Sequence, residues 1–142
     1  NINEEADDLS ISTRPLALVL FNPVVDTGKR GYGQEKLEGR EFEISPVHHI
    51  KPGVPKTLIL HGKEDITVPF ENVKRFKQIM KQEGNECILA AFRNQGHGFF
   101  NFNKKPKYFK KTMLRAEAFL ADQNLLKGSS WLKKYYRDLK RK

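Results

Sequence analysis

An acid and a histidine, each placed just past a short apolar run, are the residues of this chain best suited to chemistry. The acid lies in Thr57-Leu-Ile-Leu-His-Gly-Lys-Glu-Asp65-Ile-Thr-Val-Pro-Phe70, where the apolar run stops at Gly62 and Asp65 follows three residues later. The histidine lies in Asn94-Gln-Gly-His-Gly-Phe-Phe-Asn101, directly after a second apolar run. In a parallel sheet, ligands sit beyond the carboxyl ends of the strands, so both residues are expected on a functional rim. An aspartate there can accept a hydrogen bond from an imidazole N–H, fixing its tautomer and stabilising the imidazolium formed during acyl transfer. Flanking Gly96 and Gly98 allow a sharp turn and leave the His97 ring open to act as a general base. Read singly, each has a plainer use: Asp65 as a helix cap or solvated loop acid, His97 as a turn residue. Together they supply two members of a Ser-His-Asp arrangement.

No other constellation competes. His48 and His49 are adjacent and diverge on a helix, and with His61 and His97 they form no spaced ligand set. Cys87 is the only cysteine, which excludes an intrachain disulfide and a cysteine-based zinc site. Neither a metal nor a cofactor is expected. His61 is expected to end its strand as a packed, hydrogen-bonded residue.

The elements that must carry Asp65 and His97 follow from the apolar pattern. Leu16–Phe21, Thr57–His61 and Cys87–Phe92 are continuous apolar runs, the mark of strands buried on both faces. Between the last two, Phe70–Glu83 places Val73, Phe76 and Met80 on one helical face, with Gly84 as a left-handed stop. This is a βαβ unit, which demands a parallel pair. A last body helix is predicted over Lys107–Gln123, buried along Phe109, Met113, Ala116 and Leu120. Residues 24–55 show little periodicity: Asp26–Gly33 reads as an exposed loop, and Ser45 and Pro46 can cap and start one helical turn.

A chain of 142 residues suits one domain able to bury a core, with 38% hydrophobic and 30% charged residues and a mean hydropathy of −0.64. No run reaches the roughly 18 apolar residues of a membrane span, and the first residues are acidic, unlike a signal peptide. The net charge is +9 and the pI near 9.7. Trp131–Lys142 carries six basic residues against one acid, so nucleic-acid binding by the body is not expected. That tail places Trp131, Leu132, Tyr135, Tyr136 and Leu139 on one side of a basic helix. Packing on the body or a second subunit is its plainest use, and an anionic membrane surface or nucleic acid are the other partners it fits.

The segments 18–26, 45–50, 58–70 and 96–101 together resemble the C-terminal half of an α/β-hydrolase esterase, of the acetyl-xylan-esterase-like and prolyl-oligopeptidase-related carboxylesterases. The resemblance covers residues 12–126 and implies an α/β fold, with three parallel strands matching the last three of the hydrolase sheet and flanking helices. It implies that Asp65 is the triad acid and His97 the triad base, acting on a small ester. Phe99, Phe100 and Val68 are the candidate pocket residues, although an aromatic pair such as Phe99-Phe100 more often packs beneath its own loop. The nucleophile elbow Gly-x-Ser-x-Gly is missing: Ser10, Ser12, Ser45, Ser129 and Ser130 all lack that context. The serine is therefore expected outside this chain, which reads as residues 1–126 of a hydrolase half and a tail, 127–142. Alone it is expected to be inactive. The Leu16–Phe21 strand should present an unpaired edge, to be covered by the other half or a second subunit. Peptide hydrolysis and a non-catalytic interaction module are the alternative functions.

Overall fold

The computed structural model describes residues 6, 8, 10–29, 31–128 and 130–139. Three parallel strands form one sheet in the order β1-β2-β3: β1 Ala17–Phe21, β2 Lys56–Gly62 and β3 Cys87–Phe92. The register pairs Ala17 with Lys56 and Phe21 with Leu60, and Thr57 with Cys87 and Gly62 with Phe92. β1 begins one residue later than the apolar run: Leu16 is 79% exposed. The ladder ends at Lys56 because the residue before it is Pro55, which has no N–H to donate.

Three helices follow the predicted order: α1 Phe70–Gln82, α2 Pro106–Asp122 and α3 Trp131–Leu139. Side chains of β2 alternate between two cores. Ile59 packs with Val73, Phe76 and Met80 of α1, whereas Leu58 and Leu60 pack with Ala90 of β3 and Phe119 of α2. A strand sandwiched between helices on both faces has no polar side, and this is why β2 reads as an unbroken apolar run. α1 closes as anticipated: Gly84 has φ 73°, its N–H reaches Lys81 O at 3.1 Å, and Asn85 N–H reaches Met80 O at 2.7 Å. These two bonds are the reciprocal pair of a Schellman stop.

Three local expectations are corrected. The buried line of α2 is Thr112, Ala116 and Phe119, with Phe109, Met113 and Leu120 only half-buried. Thr112 tolerates full burial because its hydroxyl donates to Tyr108 O and Phe109 O at 3.0 and 2.9 Å. Asp26 and Thr27, read as exposed loop, are 1% and 6% exposed. Asp26 accepts the Gly28 N–H at 2.9 Å and pairs with Arg75 of α1, so the loop start is pinned to the helix. Ser45 makes no side-chain cap to the 3₁₀ turn Pro46–His48; its Oγ meets Thr27 N–H and His48 Nδ1 instead.

Among the described residues nothing pairs the edge of β1 away from β2. Among these residues that edge is open, as expected of a chain that resembles one half of a hydrolase sheet.

Candidate active site

The register of the sheet brings the ends of all three strands to one rim. β2 ends at Gly62, where an added Cβ would stand 2.2 Å from Gln95 O, so only glycine permits the loop after β3 to lie against the loop after β2. Two backbone bonds join these loops, Lys63 N–H to Phe92 O at 2.9 Å and Glu64 N–H to Gln95 O at 3.0 Å. Asp65 and His97 are thereby held together although they are 32 residues apart.

His97 Nδ1 lies 2.9 Å from Asp65 Oδ2. The Asp65 side chain is fully buried, and its Oδ1 accepts the N–H groups of Thr67 and Val68, each at 2.9 Å. It caps no helix, since α1 starts later at Phe70 with Pro69 as its N-cap, and it is not solvated. Burial works to raise the Asp65 carboxyl, but the bonds from Val68 N–H, His97, Asn22 and Thr67 N–H together outweigh it and hold the group below the usual aspartate range. Asp65 therefore stays ionised at neutral pH. An ionised acid at Nδ1 makes that nitrogen the donor and leaves Nε2 as the basic atom. The His97 side chain is 42% exposed, and Nε2 meets no hydrogen-bond partner among the described residues.

Asn22, read in sequence only as the end of the first strand, is a third member of the cluster. Its Nδ2 donates to Asp65 Oδ2, the oxygen that faces His97. Its N–H bonds Leu60 O at 3.0 Å, and its backbone takes the left-handed region at φ 44°. Asparagine tolerates that region better than most residues, and this, at the close of a parallel strand, is the signal that could have flagged it.

Of the candidate pocket residues, Phe99 packs beneath the loop against Phe92 and Tyr108, with ring centroids 4.8 and 5.9 Å away. Val68 is 1% exposed and serves through its backbone. Phe100, half-buried beside Phe21 at 5.0 Å, is the one of the three that reaches partial exposure. A cleft of about 750 Å³ between the Asp26 loop and α1, bordered by Phe42, His48, Pro69 and Arg75, is lined by none of Asp65, His97 and the candidate pocket residues.

His61 sits below the acid, fully buried, and donates from Nε2 to Val68 O at 3.0 Å. Its Nδ1 has no partner among the described residues. Burial is the main cause of a lowered imidazole pKa, so folded His61 resists protonation. Unfolded chain takes up that proton first as pH falls through about 6.5. The stability owed to neutral His61 is thus complete above that pH and declines below it. Urea midpoints measured from pH 8 to 5 should fall, and His61→Gln should flatten the slope; an unchanged slope in the variant would refute this role.

A family model described as the prolyl oligopeptidase family matches residues 21–123. This chain belongs to that family. As a family member it is 37% identical to Thermogutta terrifontis esterase 2 phosphoramylated by tabun, with a TM-score of 0.79 over 91% of this chain and 49% of that one. The propionate-bound form of the same planctomycete esterase gives 35% identity and a TM-score of 0.77, over 91% and 50%. Acylamino-acid-releasing enzyme from Arabidopsis thaliana is 33% identical over 58 residues, 41% of this chain and 8% of that enzyme. The fold is thus that of an α/β-hydrolase esterase, and the chain spans about half the length of the solved esterases it matches.

Proposed function

We propose that this chain supplies the acid and base of a serine hydrolase that cleaves carboxylic esters. The observation that carries this reading is the 2.9 Å bond between His97 Nδ1 and a fully buried Asp65. A serine hydroxyl attacks the ester carbonyl while His97 Nε2 takes its proton. The same nitrogen then returns that proton to the departing alcohol, leaving an acyl-serine. Water, deprotonated by His97, releases the acid and restores the serine. Asp65 keeps the ring oriented throughout.

The nucleophile comes from outside residues 1–142 in this proposal. Among the described residues Ser45 is buried against Thr27 and His48, Ser130 donates to Glu117, and Ser10 and Ser12 bond near neighbours; Ser129 lies outside them. The open edge of β1 is where the remaining half of the sheet would join. The likeness to the solved esterases over 91% of the chain supports esters as the substrate, and the prolyl oligopeptidase family model over residues 21–123 makes peptide hydrolysis the alternative.

Treatment of the protein that carries this chain with a fluorophosphonate, followed by peptide mapping, tests the reading. One serine outside residues 1–142 should be modified, and His97→Ala should abolish the labelling. Modification that persists undiminished in His97→Ala, or a folded protein that never labels, would favour a non-catalytic interaction module. Turnover of a nitrophenyl ester against an acylated peptide separates esterase from peptidase.

A further inference from the structure

The charge of this protein is divided sharply along the chain. Residues 104–142 contain thirteen basic and three acidic residues, whereas residues 1–103 contain thirteen basic and fourteen acidic. The whole excess of positive charge therefore lies in residues 104–142, the stretch that contains α2 and α3. α3 folds back along α2: Glu117 accepts from Ser130 Oγ and from Leu132 N–H at its start, and Lys110 Nζ lies 4.5 Å from the Tyr136 ring further along. Leu132 and Tyr136 are half-buried in this contact.

The other aromatics of α3 do not join it. Trp131 is 64% exposed and Tyr135 45%, and their rings stack at 5.1 Å with an interplanar angle of 13°. Leu125 and Leu126 are also exposed, and Leu126, Lys127, Trp131 and Lys133 border one cleft of about 270 Å³ together with Glu117 and Asp122. The exposed cations of this stretch include Lys127, Lys133, Lys134 and Arg137, with Lys107 and Lys111 on α2, against the exposed acids Asp122 and Asp138, the latter 3.9 Å from Arg137.

We propose that the α2–α3 hairpin docks this protein on an anionic lipid surface, with Trp131 and Tyr135 seated among the headgroups. Trp and Tyr favour that depth because their rings are apolar and their N–H and O–H groups remain hydrated. Lysines beside them gain from the negative potential of the leaflet. A second copy of this face is a poor occupant, since it would bring two strongly positive surfaces together. The exposed leucines favour lipid over a nucleic-acid backbone, which offers an aliphatic patch nothing to bury against. No described helix is long and apolar enough to cross a bilayer, so the contact is interfacial.

Trp131 is the only tryptophan of residues 1–142, and in the protein that carries this chain the emission lost in Trp131→Phe is the part that reports the contact. Phosphatidylcholine vesicles containing phosphatidylserine should shift Trp131 emission to the blue and co-sediment the protein at low salt; pure phosphatidylcholine should do neither. Binding should weaken as salt shortens the screening length from about 30 Å at 0.01 M to about 8 Å at 0.15 M. Lys134→Glu and Arg137→Glu should each lower partitioning about fivefold or more. Trp131→Ser should reduce co-sedimentation without changing the far-ultraviolet circular dichroism. Unchanged Trp131 emission with phosphatidylserine vesicles at low salt would overturn the proposal. So would a DNA duplex that shifts Trp131 where the vesicles do not.

Discussion

Asp65→Asn should lower kcat on a short-chain ester about ten-thousand-fold in the assembled enzyme, with little change in KM. The reason lies in the directions of the bonds around Asp65. Thr67 and Val68 N–H groups claim one oxygen, so an amide at this position must turn its NH₂ toward His97 and Asn22, both of which are donors. His97 escapes that clash by placing its proton on Nε2, and an Nε2–H has no lone pair with which to accept a serine proton. His97→Ala should lose a similar factor, and the double variant little more than either, because the two residues act as a unit. Asn22→Gly keeps the left-handed backbone while removing the amide. It should cost about ten- to a hundredfold, the worth of one hydrogen bond to a charged group. Steady-state kinetics on the four variants checks the order; Asp65→Asn retaining more than about a tenth of wild-type kcat would refute the role of Asp65.

Gly62→Ala should destabilise the fold by about 3 kcal/mol, a large fraction of a typical domain's stability. The new Cβ would stand 2.2 Å from Gln95 O and 2.9 Å from Gly96 O, both backbone atoms that cannot rotate away. Relief requires the two loops to part, which stretches the bonds from Lys63 and Glu64 and separates Asp65 from His97. Gly84→Ala is the comparison: φ is 73° but nothing lies within 4 Å, so only the left-handed penalty of about 1 kcal/mol applies. Urea unfolding of both variants measures the difference. If Gly62→Ala is no more harmful than Gly84→Ala, the close approach of the loops is not what holds the pair.

Both predictions concern residues that the sequence exposed unequally. Asp65 and His97 were legible because each follows a buried strand at a short, fixed offset, and strands reveal themselves through local apolar runs. The α1 stripe of Val73, Phe76 and Met80 was legible for the same reason, since helical periodicity is local. The phase of α2 was less so. Its amphipathic contrast is weaker, and a threonine that satisfies its own hydroxyl replaces an apolar residue on the buried line. Asn22 was missed because its partner Asp65 is 43 residues away, and only the register of β1 on β2 makes them neighbours. Asp26 was misread because a turn-like composition is also what a loop pinned by a buried aspartate and a half-exposed arginine requires.

The chain by itself determined the strands, the helix between the second and third, the order of acid before histidine and the concentration of positive charge toward the end. All of these depend on neighbours within a few residues. Tertiary structure alone decided that Asp65 and His97 meet at 2.9 Å, that Asn22 joins them, and that Trp131 and Tyr135 remain outside the α2–α3 contact. Those outcomes rest on strand register, on the space beside Gly62 and on the rotation of one helix against another. None of these leaves a periodic trace in sequence, because each depends on where distant segments stop.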